Sequence, residues 1–255
     1  MTAKVAIMKI NNDAQAAMKK ALKLIGKIDD LNTKDRQVAI KVGVFDPKSG
    51  GHTTVEVADA IAKSFSKAPH IFFVESDNYR GTGTERLQIW KDVFTKKVTP
   101  INLSEEKETR KVKVADEEIA LSNILFKPNV FVSTHVVRKF ERGSILKNLL
   151  GLIPDQKKAR FHKKMVQTLL DLYEAVGGIE LAVLDGTYTS QGVAPSSKKT
   201  RTDIIIVGRD AVAVEAIGFT RVGIKPENMP IIREAVKRGL GEGDLKNIEI
   251  LGDAV

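Results

Sequence analysis

The sequence predicts an α/β protein with a largely parallel sheet and helices on both of its faces. Short apolar stretches such as IFFVE (71–75) alternate along the chain with stretches in which apolar residues recur every three or four positions. The apolar stretches are nearly continuous, as in parallel strands that are buried on both faces. Since no linker or internal repeat interrupts this alternation, we expect one α/β domain over residues 1–255.

The predicted elements follow one another in a regular order. Strands are predicted at 2–10, 38–45, 71–75, 122–126, 180–185, 203–208 and 247–252, with two short polar strands within 95–118. Helices are predicted at 13–26, 55–65, 155–176, 210–218 and 229–238, with one more around Leu87, Trp90 and Phe94. Apolar residues on one face identify each of these helices.

The composition excludes several classes of site. The chain has no cysteine, which excludes disulfides, thiol nucleophiles, cysteine-bound zinc and ordinary iron–sulfur clusters. A metal would be held by carboxylate, backbone oxygen or one of four histidines. No apolar run approaches the ~20 residues of a transmembrane helix. The amino terminus lacks the features of a signal peptide, so we expect a cytoplasmic protein with no membrane partner.

Positive charge is concentrated in one part of the chain. The net charge is +9, and ten Lys or Arg residues but only two acidic residues lie between positions 124 and 168. This segment, dense in charge over 138–164, could attract phosphates, nucleic acid or an acidic partner protein. It could equally be the solvated face of a helix, and we interpret the cluster around His162 as surface.

Ligands of such sheets bind beyond the carboxyl ends of the strands. This rule selects five loops, at 46–54, 75–84, 127–135, 185–194 and 208–210. We therefore look for binding and catalytic side chains in these loops.

The loop after the 71–75 strand contains the glycine-rich sequence RGTGT (80–84). Gly81 and Gly83 would leave backbone N–H groups free to bind phosphate at the start of a helix, with Arg80 and Thr84 beside them. A capping box that begins at Thr82 is a purely structural alternative. The sequence matches no nucleotide-binding fingerprint, and both interpretations stay open.

The sequence FKPNVFVSTH (126–135) combines a cation, an amide and an imidazole. We predict that Lys127-Pro128-Asn129 ends the 122–126 strand, because proline cannot continue a central ladder. Lys127 and Asn129 would then project over the strand ends as ligand-binding groups, and His135 could act as a general base or metal ligand. A strand-exit turn with a solvated lysine and a structural histidine is the alternative.

Carboxylates also follow the predicted strands. Asp185 precedes Gly186 and could act as a general base or a metal ligand, although Asp-Gly is also an ordinary turn. Asp46 and Glu75 end two other strands and could complete a metal site with Asp185. Carboxylate ligands would favour Mg²⁺ or Mn²⁺ over zinc.

Five segments occur in order along the chain: LFKPNVFVSTH, SILKNLLGLIPDQKKARFH, LAVLDGTYTSQGVAP, IIIVGRDAVAVEAIG and RGLGEGDLKNIEILGD. In this order they resemble the family called domain of unknown function 362 (DUF362), and the resemblance extends from residue 38 to residue 252. The resemblance implies one shared pocket for the residues that coincide with family motifs, which are Lys127, His135, Lys147, Asn148, Asp185, Gly186 and Asp210.

This chain departs from the family pattern at Ser133, at Ala194-Pro195 and at Glu215. Many members carry an additional ferredoxin-like cluster domain. Because this chain has no cysteine, the resemblance implies neither an iron–sulfur cluster nor electron transfer here.

Two function hypotheses follow. In the first, the protein binds or acts on a small carboxylate or phosphate, with Lys127, Lys147 and the RGTGT loop holding the anion and with a divalent cation at the carboxylates. In the second, the basic 138–164 segment binds nucleic acid or an acidic partner, although aromatic residues for base stacking make up only 5% of the chain. We favour the first, and the sequence leaves open whether a reaction occurs.

Overall fold

The computed structural model of the protein describes residues 2–190 and 198–253. The end of the predicted 185–194 loop, with Gly192 and Ala194, lies outside the described residues. Within the part of the chain that is described, no helix is both long and apolar enough to cross a membrane.

Ten strands are present in the described residues. They are β1 (Ala3–Lys9), β2 (Val38–Val42), β3 (Ile71–Glu75), β4 (Val98–Asn102), β5 (Thr109–Val114), β6 (Glu117–Ser122), β7 (Val130–Arg138), β8 (Leu181–Ser190), β9 (Lys199–Gly208) and β10 (Ile248–Gly252).

Six α-helices lie between these strands. They are α1 (Ala14–Leu24), α2 (Val55–Ser64), α3 (Gly83–Leu87), α4 (Met165–Ala175), α5 (Ala211–Thr220) and α6 (Pro230–Lys237). Short 3₁₀ helices occur at Pro47–Ser49, Gln88–Val93, Asn123–Leu125, Lys147–Leu152, Lys158–Lys164, Pro226–Asn228 and Leu245–Asn247.

Eight of the strands form one sheet in the order β10-β1-β9-β8-β7-β2-β3-β4. Neighbouring strands are parallel except at β9, which is antiparallel to both β1 and β8. The predicted fold class, a largely parallel α/β sheet, is therefore confirmed. Strands β5 and β6 pair separately as an antiparallel hairpin. Strands β2, β3, β7 and β8 all end at the same edge of the sheet, which we call the carboxyl edge.

Helices cover both faces of the sheet, as predicted. Helices α1 and α2 pack with Trp90 on one face, and α4, α5 and α6 pack on the other. Successive strand residues alternate between these two cores, so that Val5 and Ile7 contact one core and Ala6 and Met8 the other. Burial on both faces explains why the strands are apolar almost throughout.

The predicted strand at 122–126 was wrong. Asn123–Leu125 forms a 3₁₀ helix, and the strand begins only after the KPN segment (127–129), as β7. All nine residues of β7 are buried between β2 and β8, including the polar STH sequence that ends at His135 and that obscured this strand. Lys127 and Asn129 therefore precede a strand and lie at the edge opposite the carboxyl edge.

The direction of β9 also differs from the expectation. Strand β8 extends to Ser190 and β9 begins at Lys199, which leaves only residues 191–198 between them. A parallel crossover needs about a dozen residues or more, so this connection returns the chain antiparallel. The end of β9 pairs with the beginning of β8, and Asp210 consequently lies at the edge opposite the carboxyl edge.

Asp210 has a structural position there. Its Oδ1 accepts hydrogen bonds from the backbone N–H groups of Val212 and Ala213 at the start of α5, and its Oδ2 accepts one from Glu242. These contacts cap the helix and fix the loop before β10. Burial raises the pKa of the Asp210 carboxyl, although the three backbone donors oppose the shift.

The predicted helix at 155–176 is divided in two. Its first part is the 3₁₀ helix Lys158–Lys164, and its second part is α4. With three residues per turn, Lys158 and Phe161 face inwards while Arg160, Lys163 and Lys164 remain exposed. The basic segment is thereby separated into buried and exposed cations.

Candidate anion site

A cavity of about 320 Å³ opens at the carboxyl edge, between the ends of β2, β3 and β7 and the segment 138–162. Its lining combines polar, charged and aromatic side chains. The lining residues are Lys41, Val44, Phe45, Glu75, Asn78, Tyr79, Arg86, His135, Arg138, Phe140, Arg142, Lys147, Asn148, Leu150, Gly151, Gln156, Lys158, Ala159 and His162.

Positive charge dominates the cavity. Six Lys or Arg residues line it, and Glu75 is the one carboxylate among the lining residues. Such a group of like charges around a small volume creates a strongly positive potential. The arrangement therefore favours an anion.

A buried ion pair lies at the floor of the cavity. The Lys41 ammonium donates to Glu75 Oε2 at 2.9 Å, and Arg86 Nη1 lies 3.3 Å from the same oxygen. All three side chains are at most 2% exposed. Burial lowers the pKa of Lys41, whereas for Glu75 the neighbouring cations outweigh the effect of burial and lower the pKa of the carboxyl. Arg86 also donates to the carbonyl oxygens of Val44 and Ser76.

Asn148 connects this pair to β7. Its Oδ1 accepts from the Lys41 ammonium at 3.0 Å, and its Nδ2 donates to the carbonyl oxygens of Lys41 and Thr134 at 2.9 and 3.1 Å. A Cβ at Gly151 would lie 2.6 Å from Lys41 Cε and 2.7 Å from Glu75 Oε1. The 3₁₀ helix Lys147–Leu152 therefore packs directly on the ion pair, and a Cβ at position 151 would displace one of its side chains.

Lys158 approaches the cavity from the other basic 3₁₀ helix. Its ammonium donates to Ser76 Oγ at 2.6 Å and to the Asp77 carbonyl at 2.7 Å. Burial, with Lys41 and Arg86 nearby, lowers its pKa to about 8 despite the attraction of Glu75.

Lys147 is a cation without a counter-ion. Among the described residues it has neither a hydrogen-bond nor an ion-pair partner for its ammonium, and it lines the cavity. Burial and repulsion from Arg138 and Arg142 lower its pKa to about 7. A lysine in this state would gain by pairing with an anion.

Arg138 is held at the end of β7. Its Nη2 donates to the Gly143 carbonyl at 3.1 Å, while its buried Nε has no partner in the described part of the chain. Glu215 of α5 accepts hydrogen bonds from the backbone N–H groups of Ser144 and Leu146. This buried carboxylate fixes the loop before Lys147, so α5 helps to position the Lys147 side chain in the cavity.

His135 presents a neutral imidazole to the cavity. Its Nδ1 accepts from the Val136 backbone N–H at 2.8 Å, so the proton of the neutral ring is on Nε2. Burial, together with Arg138 and Lys41, lowers its pKa well below the ordinary value. A Cβ at Gly43 would lie only 2.2 Å from the imidazole Cδ2, so glycine at position 43 makes room for the ring.

Asp185 lies outside this cavity. Its carboxylate accepts from the backbone N–H and hydroxyl groups of Thr54, at 2.6 and 2.7 Å, and from those of Thr187, at 2.8 and 2.6 Å. It lines a separate cavity of about 30 Å³ with His52. Gly186 beside it packs against Ile204, where a Cβ would lie 2.6 Å from Cγ1.

The RGTGT loop satisfies its own backbone groups. Thr82 and Glu85 form the capping box considered above, and Gly83 N–H donates to Asp77 Oδ1 at 2.8 Å. Gly81 N–H donates to the Asn78 carbonyl. These internal acceptors occupy the donors that were predicted to bind phosphate. The side chain of Thr84 donates to Glu105 instead, and Arg80 lies over the ring of Tyr79.

The structure does not bring the predicted metal ligands together. Glu75 pairs with cations, Asp185 is surrounded by four donors, and Asp46 caps the 3₁₀ helix Pro47–Ser49. Among the residues that the structure describes, no group of three or more His, Asp or Glu side chains could hold a metal ion.

Sequence reasoning located part of the cavity. It selected Glu75, His135, Lys147 and Asn148, which all line it, whereas Lys127, Asn129 and Asp210 lie at the opposite edge. It did not select the lining residues Lys41, Arg86, Arg138, Arg142 and Lys158 as ligand-binding residues. A single lysine within the otherwise apolar strand VAIKV (38–42) was the signal that could have identified Lys41.

Comparison with known protein families identifies the family of this chain. The family model of DUF362, a domain of unknown function, matches residues 38–220, a range that includes the whole lining of the cavity. No curated protein matches the chain.

Glu75→Gln should lower the free energy of unfolding by about 3–5 kcal/mol, because it leaves Lys41 and Arg86 buried without a counter-charge. Urea unfolding measures this loss. Adding Lys41→Met to Glu75→Gln should recover part of it, since one of the unpaired cations is then removed. Glu118→Gln at the exposed Lys111–Glu118 pair is the control and should cost less than about 1 kcal/mol. If the stability losses of Glu75→Gln and Lys41→Met simply add in the double variant, the two side chains are not energetically coupled and the prediction is wrong.

The free energy of unfolding should rise with pH between about pH 7 and 9.5. Lys147 and Lys158 release their protons at about 7 and about 8 in the folded protein, against an ordinary value of 10.5. In this window the unfolded chain binds more protons, so raising the pH favours the folded state. Lys147→Met should flatten the slope, whereas the exposed Lys163→Met should not. A profile that is identical in all three proteins would contradict the assigned environment of Lys147.

Proposed function

Because this chain belongs to the DUF362 family, whose description assigns no reaction, we propose its function from the cavity itself: it binds a small anion that carries a phosphate or carboxylate group. The proposal assigns binding to the cavity and no chemical step. It agrees with the first of the two sequence hypotheses and keeps Lys147, but it replaces Lys127 and the RGTGT loop with Arg138 and Arg142.

The unpaired charge of Lys147 is the observation that carries this proposal. Lys147 is partly buried, and its ammonium has no acceptor among the described residues, so an anion in the cavity would supply the missing charge and acceptor atoms. Arg138 adds an unpartnered buried Nε, and the exposed Arg142 lies near the same space. The cations of the floor, in contrast, are already paired with Glu75 and preserve the shape of the cavity.

We assign to His135 the role of an uncharged hydrogen-bond donor. Its Nδ1 is occupied by the Val136 N–H, so Nε2 would donate to an oxygen of the ligand. A general base at Nε2 would need the other tautomer, with the proton on Nδ1, and that proton would face the Val136 N–H. We therefore prefer this role to the general base expected from the sequence.

The proposal needs no metal held by the protein. Glu75 has two cationic partners and the oxygens of Asp185 accept four hydrogen bonds, so neither carboxylate offers a free oxygen pair to Mg²⁺ or Mn²⁺.

Nucleic-acid binding by the 138–164 segment has weaker support. Lys147 and Lys158 of this segment line the cavity, and Arg160 and Lys164 are paired with surface carboxylates. A duplex or single strand needs a continuous exposed row of cations. In the 138–164 segment, the cations that line the cavity or pair with carboxylates interrupt such a row.

Lys147→Met should weaken the binding of inorganic phosphate and of oxalate by about tenfold or more, because it removes a charged hydrogen-bond donor. Thermal-shift titrations at constant ionic strength measure these affinities. Lys163→Met, Lys127→Ala and Asp210→Asn are controls outside the cavity and should bind like the unmodified protein.

Two outcomes would overturn this proposal. One is equal loss of affinity in Lys147→Met and Lys163→Met, which would indicate a diffuse charge effect. The other is tight, salt-dependent binding of an oligonucleotide with no binding of phosphate or oxalate, which would favour the nucleic-acid alternative.

A further inference from the structure

We propose that the natural ligand carries a flat, unsaturated ring next to its anionic group, with the anion at the inner end of the cavity and the ring at its mouth. This inference rests on the proposed function and specifies the class of ligand. It depends on a second set of lining residues, the aromatic ones.

The charged floor of the cavity is buried, whereas two of its aromatic residues are exposed. Lys41, Glu75 and Arg86 are fully buried at its floor. Phe45 and Tyr79, which also line it, are 37% and 70% exposed. An anion that paired with Lys147 and Arg138 inside the cavity would therefore leave the rest of its molecule beside the aromatic residues.

Exposed aromatic rings at this place need an explanation. The described residues include seven exposed large hydrophobic side chains, and two of them, Phe45 and Tyr79, contact each other at the mouth of this cavity. Their ring centroids are 5.4 Å apart in an edge-to-face arrangement. Paired exposed rings beside a cavity are typical of ligand-binding surfaces.

A hydrogen bond links the segments that carry the two rings, and a cation–π contact lies over one of the rings. The rings lie on different loops, after β2 and after β3, and the Asn78 side-chain amide donates to the Phe45 carbonyl at 3.1 Å. Arg80 lies over the Tyr79 ring at 5.1 Å and limits its movement. Loops that are already linked in this way lose less conformational entropy when they bind a flat partner.

A third ring and the size of the cavity support the same ligand class. Phe140 also lines the cavity, and Arg138 lies over its face at 5.1 Å. A volume of about 320 Å³ suits a small organic molecule. The five heavy atoms of phosphate would fill roughly half of it at most, since a water takes about 30 Å³.

The test compares phosphates that differ only in the attached group. Thermal-shift titrations of the full chain at constant ionic strength give affinities for inorganic phosphate, methyl phosphate and phenyl phosphate. Phenyl phosphate should bind about tenfold more tightly than methyl phosphate, because its ring contacts the aromatic mouth. Benzoate and acetate repeat the comparison with a carboxylate in place of the phosphate, and they show which of the two anionic groups the cavity binds more tightly.

Variants locate the preference. Phe45→Leu and Tyr79→Leu should each reduce the preference for the phenyl compound to about threefold or less, because each should weaken the binding of phenyl phosphate more than that of methyl phosphate. Tyr188→Leu, at an exposed tyrosine that does not line this cavity, should keep the full preference.

The outcomes separate this inference from the proposed function. If methyl and phenyl phosphate bind equally, or if both leucine variants keep the preference, the inference is wrong and the anion site remains. If no phosphate or carboxylate binds, the proposed function fails and the inference fails with it.

Discussion

The buried contact between Lys41, Glu75 and Arg86 is the constraint on which the site depends. One carboxylate lies between two cations that are removed from water, so the loss of any partner leaves an uncompensated buried charge. Asn148 and Gly151 attach the neighbouring 3₁₀ helix to this contact and thereby bring Lys147 to the cavity. The floor of the cavity is in this way part of the hydrogen-bonded core of the sheet.

Electrostatics then explain the state of the remaining cations. The lining contains one carboxylate for six Lys or Arg residues, and repulsion with burial lowers the pKa of Lys147 and Lys158 towards neutrality. The folded protein tolerates the cluster partly by releasing protons. An anion would reverse this release, so binding and protonation should be coupled.

The sequence predicted the fold better than the site, for physical reasons. Strands buried on both faces, such as 71–75, are recognisable because their apolar runs are too short for a helix and are bounded by loop residues. Strand β7 was missed because its buried polar residues resemble a loop. The antiparallel direction of β9 follows from the short connection between β8 and β9, and the sequence predicted both strands too short to reveal how short that connection is. His135 was selected by its place in a predicted strand-end loop and Lys147 by a family resemblance, whereas Arg138 and Lys158 could be placed in the cavity only when the 3₁₀ helices and strand ends were known.

The most direct test of the account is the titration of Lys147 followed by ¹³C NMR of its Cε, without phosphate and with saturating phosphate. The Lys147→Met variant assigns the resonance. The Lys147 ammonium should have a pKa of about 7 in the free protein and a value well above this when phosphate is bound. A lysine that titrates near its ordinary value of 10.5 in the free protein, or one that phosphate leaves unchanged, would contradict this expectation.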